Sequence, residues 1–143
     1  MSARNPVSKP LETSAILGKL RAAGLRPTRQ RVDLGRLLFA GGDRHLTAET
    51  LFEETRTLRH PPSLATIYNT MRQFAEKGLL REIAIYGARI WYDTKTGPHF
   101  HFFREDREEL FDIPEAMIPD FKIAAPEGMR IEAIDVVVRL KSL

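Results

Sequence analysis

The sequence contains no cysteine, which excludes disulfides, thiolate nucleophiles and every cysteine-held zinc or iron–sulfur site. Histidine is scarce as well, with four residues in 143, so each is a position to weigh singly. No stretch approaches the roughly 20 apolar residues that a membrane-spanning helix needs. The opening MSARNPVSKPLETS lacks the apolar segment of a secretory signal, so the expectation is a cytoplasmic chain with no membrane partner. Aromatic residues make up only 8%, yet hydrophobic residues reach 43%, enough for a core in one domain or two small ones.

The net charge of +3 hides an asymmetry. Residues 1–92 hold 15 Lys/Arg against 8 Asp/Glu, and residues 93–143 hold 7 against 11. A basic half joined to an acidic half suggests that one part meets a polyanion. Residues 1–10, polar and carrying Pro6 and Pro10, read as a flexible arm. Leu11, Ala15, Ile16, Leu17 and Leu20 recur at helical spacing, and Gly24 stops that helix. Thr28 caps a second helix with a buried face of Val32, Leu34, Leu37 and Leu38. A third helix runs from Thr47 to about Leu58, before His60-Pro61-Pro62 breaks the chain. Ser63 caps a fourth, in which Ile67, Met71 and Phe74 face inward and which Gly78 closes. From Leu80 the period becomes two, and Gly87-Ala88 turns the chain into Arg89–Tyr92, a hairpin. Helices followed by a hairpin predict an α+β chain: a winged helix-turn-helix over 1–92, then a small α/β part over 93–143. A helical bundle with an appended hairpin is the alternative that this pattern leaves open.

The fourth helix carries Thr66, Tyr68, Asn69, Thr70, Arg72 and Gln73 between its apolar positions. Hydroxyls, amides and a guanidinium reach phosphates and base edges, and a tyrosine ring packs on thymine methyls. Arg26, Thr28, Arg29 and Arg31 cluster at the start of the second helix, suited to the phosphate backbone. With Ser63 at the fourth helix's start, these form the expected contact set for double-stranded DNA.

The segment Asp93–His101 carries a different chemistry. On a strand, residues two apart face the same way, so His99 and His101 present two imidazoles to one space. Residues 99–103 and 109–113 read as a second hairpin that sets Asp112 beside His101, while Asp93 stands at the junction of the two halves. Nitrogen and oxygen donors without sulfur suit iron(II), manganese(II) or zinc(II). The same residues fit an enzyme with a catalytic ion, but no separate base or nucleophile accompanies them, and the expectation is a chain that is not an enzyme. A scaffold that binds neither DNA nor metal is the third possibility.

Four blocks in order resemble the ferric uptake regulator superfamily: GLRPTRQR at 24–31, HLTAE at 45–49, ATIYN at 65–69 and GLL at 78–80. The resemblance implies a homodimer on an inverted-repeat operator, with residues 93–143 as the dimerisation and metal- or haem-sensing domain, Tyr68 facing the major groove and Arg26 reaching toward the minor groove. It also implies one regulatory metal site at His45, Asp93, His99, His101 and Asp112. His60 matches nothing in the pattern. Two departures stand out. Arg104 and Arg107 occupy the places where many relatives carry a Cys-x-x-Cys structural zinc site, and Pro98 and Phe100 occupy those of a further metal site, so both sites are expected to be absent.

The C-terminal part is interrupted by Pro114, Pro119 and Pro126, and Gly128–Leu140 then reads as a β-branched strand for a subunit interface or a core. Together with the missing cysteines, its ending resembles the iron response regulator branch of that superfamily. That resemblance implies a repressor of iron and haem homeostasis genes, with haem ligated by His99, His101 or His45. Haem releases DNA in this branch, whereas metal promotes DNA binding in the wider family, which includes peroxide and manganese sensors.

Overall fold

A computed structural model describes residues 9–97 and 100–143. Most of the expected N-terminal arm, and His99 with Pro98, lie outside them. The backbone divides into two compact units, Met1–Thr96 and Gly97–Leu143.

The first unit runs α1 (Thr13–Ala22), α2 (Arg29–Leu38), β1 (His45–Thr47), α3 (Ala48–Glu54), a 3-10 turn (Thr55–Thr57), α4 (Leu64–Glu76), β2 (Arg81–Ile83) and β3 (Trp91–Asp93). Three helices start the same way. The side-chain oxygens of Thr28, Thr47 and Ser63 accept from the backbone amides of Arg31, Thr50 and Thr66 at 3.2–3.3 Å. Each such cap contributes about 1 kcal/mol. Gly24 and Gly78, at φ +76° and +77°, follow α1 and α4 in the left-handed conformation that ends a helix. Ile16 and Leu20 of α1, Leu34 and Leu38 of α2, Leu51 of α3, and Ile67, Met71 and Phe74 of α4 are buried in one cluster. Each fully buried side chain of this size contributes roughly 1.5–3 kcal/mol. The third helix is shorter than its sequence suggests. Its last turn tightens to 3-10 where the Thr55 hydroxyl donates to the Phe52 carbonyl at 2.6 Å and competes with the α-helical pattern.

The hairpin gains a strand that the sequence did not announce. The sheet order is β1-β3-β2, all antiparallel, so β3 is central. Tyr92 at its middle is buried in the helical core, and burial, followed by the charge of Glu82, pushes its phenol from 10.0 up to about 12.

In the second unit β4 (His101–Arg104) lies between β5 (Glu109–Asp112), antiparallel, and β6 (Val137–Leu140), parallel. The tight β4–β5 connection includes a 3-10 turn (Glu105–Arg107) and Glu108 at φ 47°. The long strand expected over Gly128–Leu140 is only the four residues of β6, with Val138 exposed on an edge strand rather than in a core. The three prolines upstream leave one 3-10 turn, Glu115–Met117, as the regular structure of the connection.

Two stability predictions follow from the packing. A Cβ on Gly35 of α2 would lie 2.3 Å from Ile16 Cδ1 and 2.7 Å from Ile16 Cγ1, with Ile16 fully buried. Gly35→Ala gains about 1 kcal/mol of helix propensity but loses about 1–3 kcal/mol to overpacking. Urea denaturation should show a net loss, partly recovered by adding Ile16→Val. The raised Tyr92 pKa favours the neutral phenol, so its contribution is present below 10.0 and lost as pH climbs through about 12. Alkaline melting curves of Tyr92→Phe should lack that part of the decline.

Candidate metal centre and nucleic-acid face

In an antiparallel pair, directly opposed residues bring their side chains together on one face. Each sheet uses this once to set a histidine against an aspartate. In the first unit His45 of β1 is opposite Asp93 of β3, and His45 Nε2 lies 2.9 Å from Asp93 Oδ2. The other oxygen, Oδ1, accepts from the Lys95 amide at 2.8 Å. Asp93 is buried, so both interactions form away from water. The backbone around His45 is held from both sides. Thr94 Oγ1 accepts from the Arg44 amide at 2.9 Å, and the Arg44 guanidinium makes a two-pronged ion pair with Glu54 at the end of α3, 2.9 and 2.6 Å.

In the second unit His101 of β4 is opposite Asp112 of β5, with Nε2 3.3 Å from Oδ1. His101 is buried, whereas the Asp112 side chain is 46% exposed. Each pair offers one nitrogen and one oxygen, borderline and hard donors that match iron(II), manganese(II) or zinc(II). Arg104, at one of the expected cysteine places, is engaged in an ion pair and a hydrogen bond: its Nε meets Asp106 Oδ1 at 3.0 Å, and its NH2 donates to Ser142 Oγ at 2.9 Å. The Ser142 hydroxyl, followed by Arg104, holds the Asp106 carboxyl below its usual range.

The α4 face divides into exposed and half-buried groups. Asn69 and Arg72 are exposed and meet each other at 3.5 Å, while Thr66, Tyr68 and Gln73 are half-buried. Thr70, expected on this face, is buried instead, because it falls beside Met71 on the inward arc of the helix. Ser63 and Thr66 are engaged with each other at the helix start, hydroxyl to hydroxyl at 3.0 Å. Of the arginine cluster, Arg26 and Arg29 are exposed. Arg31 acts as a clamp: NH1 donates to the Arg26 carbonyl at 2.9 Å and NH2 to Gln73 Oε1 at 3.1 Å, tying the start of α2 to α4.

One participant went unread in the sequence. The Tyr68 hydroxyl donates to Glu49 Oε1 of α3, and Glu49 Oε2 is buried with no hydrogen-bond partner among the described residues. Its only signal in the sequence is a glutamate in the first turn of a helix, which by itself reads as a favourable dipole contact.

The model of the ferric uptake regulator family matches residues 22–139. The ferric uptake regulation protein of Pseudomonas fluorescens is 30% identical over 113 residues, covering 77% of this chain and 92% of the relative. The peroxide-responsive repressor PerR of Staphylococcus epidermidis is 30% identical over 102 residues, covering 71% and 67%. Among solved structures, the ferric uptake regulator of Pseudomonas aeruginosa with manganese superposes at TM-score 0.69 with 23% identity, covering 89% of this chain and 97% of that one. That of Vibrio cholerae superposes at 0.70 with 22% identity, covering 87% and 98%. At these identities the superpositions show the shared α+β fold.

The two pairs differ in burial, and truncation should reveal it. Asp93→Ala strips the Lys95 amide and His45 of a buried partner and should cost about 1–3 kcal/mol in chemical denaturation of the metal-free protein. Asp112→Ala, at a half-exposed carboxylate, should cost about 1 kcal/mol or less. Equal costs would show that burial does not set the difference.

Proposed function

The chain belongs to the ferric uptake regulator family, whose members are metal-responsive transcription regulators and not enzymes, and from this we propose that it is a homodimeric repressor of double-stranded, inverted-repeat operators. Its regulated process is iron and haem supply, and its controlling ligand is a divalent metal. The observation that carries the reading is the histidine–aspartate opposition built into each sheet. The proposed donors are His45 and Asp93 from the first unit with His99, His101 and Asp112 from the second. The fit is supported inside each unit: the described donors are nitrogen and oxygen only, one pair holds a buried carboxylate, and the other a buried imidazole. A divalent ion held by these donors would supply a coordination charge and a preferred ligand geometry, and so would bias the dimer toward its DNA-competent form.

On DNA, α4 is the reading helix. Tyr68, Asn69 and Arg72 meet base edges, and Ser63 and Thr66 stand at its leading end. Arg26 and Arg29 hold the phosphate backbone with Thr28 and Arg31 beside them, while the Thr28 hydroxyl also caps α2 and Arg31 also ties the start of α2 to α4. The homodimer is supported by the second unit's surface. Met117 at 66%, Ile123 at 59% and Met129 at 71% are exposed, in a unit whose buried residues number few, and a second copy offers matching apolar cover.

A second reading, a peroxide- or manganese-responsive regulator of the same family, rests on the similarity to the peroxide-responsive repressor. A third variant follows the iron response regulator resemblance: haem, ligated by His99, His101 or His45, releases DNA.

Titrating the chelator-stripped protein with manganese(II), iron(II) and haem, while following absorbance and retention of palindromic DNA, separates these outcomes. Manganese(II) or iron(II) should raise operator affinity about 5- to 150-fold, and His45→Ala or His101→Ala should abolish the gain. A histidine-ligated haem spectrum with DNA release assigns the haem variant. Metal dependence that also vanishes on peroxide treatment assigns the sensor reading. No DNA retention under any condition overturns all three.

A further inference from the structure

Glu49 is an acid in a place where an acid has to be explained. It sits in the first turn of α3, packed against the helix that faces DNA in the reading above, and phosphate repels a carboxylate. It is only half-buried as a residue, yet Oε2 is shielded from solvent and has no hydrogen-bond partner among the described residues. Its other oxygen takes the hydroxyl of Tyr68, one turn into α4. Arg89, in the connection between β2 and β3, lies near enough for its charge to act on both groups. Three elements of the first unit therefore converge on one carboxylate.

We propose that Glu49 is a positioning residue for operator reading: it holds the Tyr68 hydroxyl, so that Tyr68 meets DNA through its ring and not through its hydroxyl. The inference rests on the regulator reading and deepens it. A hydroxyl turned toward a base or phosphate would leave Glu49 with a second unsatisfied oxygen beside the first. A hydrogen bond to a charged group shifts such an equilibrium roughly ten- to hundredfold, so the held rotamer dominates. The electrostatics agree. Burial opposes ionisation of Glu49, but the Tyr68 hydroxyl, its own backbone amide, Arg89 and Thr47 outweigh burial and hold its carboxyl below the usual range. The Glu49 hydrogen bond, with burial second, raises the Tyr68 phenol in turn. The half-buried ring keeps one part exposed on the face shared with Asn69 and Arg72, suited to packing on a thymine methyl. Holding its rotamer in advance removes an ordering cost from binding.

The test uses the full chain with manganese(II) throughout. Wild type first selects a duplex from a randomised pool, and the ratio of its affinity for that duplex to its affinity for a scrambled one is then measured for variants. Glu49→Ala and Tyr68→Phe should each lower the ratio roughly tenfold, and the double variant should be no worse than either single. Glu49→Gln, which keeps an acceptor, should retain most of the ratio. Without DNA, Glu49→Ala should move the Tyr68 phenol titration back toward its ordinary value, a change that general loosening of the fold would not confine to one tyrosine.

Additive losses in the double variant would show the hydroxyl touching DNA on its own account and overturn the proposal. So would a Glu49→Ala protein that reads the selected duplex as wild type does. If Glu49→Ala fails to fold by thermal melting, Glu49→Leu, which also removes the acceptor but keeps most of the bulk, carries the same cycle with Tyr68→Phe. A wild-type chain that enriches no duplex overturns the regulator reading, and this role with it; enrichment by wild type with an unaffected variant overturns the role of Glu49 alone.

Discussion

A strand pair in antiparallel register has no choice about which side chains meet, because the hydrogen-bond ladder sets them opposite one another and a slip of one residue sends each to the other face. Both sheets depend on that constraint. Tyr92 has to bury its ring among the helices, and this fixes the register of β3 against β1; Asp93, the next residue, then falls opposite His45. In the second unit the buried Phe103 and Leu110 are opposite each other, and the same ladder two residues away sets His101 opposite Asp112. Apolar burial thus decides the register, and the register decides where the nitrogen and oxygen donors go. A change to a core residue in either sheet would reach the candidate metal ligands without touching them.

The helical part was largely legible in the sequence because its signals are local. Ser63, Thr28 and Thr47 declare helix starts within three residues of themselves, and Ile67, Met71 and Phe74 declare an inward face at a spacing that only a helix satisfies. The β4–β5 hairpin was legible for the same reason, its two strands being joined by a short charged turn. What escaped is non-local. β1 is three residues long, too short for alternation to be read, and its partner β3 lies more than forty positions along the chain. The ending of the chain misled in the opposite direction: its run of β-branched residues signals a long strand, but only Val137–Leu140 finds a neighbour to pair with.

The site was legible as residue types and, where the hairpin is local, as a partnership: Asp112, expected beside His101, is opposite it. The opposition of His45 to Asp93 appears once β1 is paired with β3. Arg31, read from the sequence only as a phosphate contact, also braces α2 against α4. Glu49 looked like an ordinary first-turn acid. Both cases share a cause. A charged side chain on a helix is read as solvated until a partner from another element is known, and the partners here, Gln73 and Tyr68, lie on a later helix.

The position of β6 has a consequence for handling the protein. It closes the second sheet as an edge strand, with an exposed valine and a row of backbone groups on the side away from β4. An edge of this kind is a template for uncontrolled strand addition. Arg139, paired with Glu105 in the turn after β4, sets a charge in the middle of the strand where a fourth apolar residue would otherwise lengthen the apolar run. That single arginine acts as a gatekeeper against aggregation.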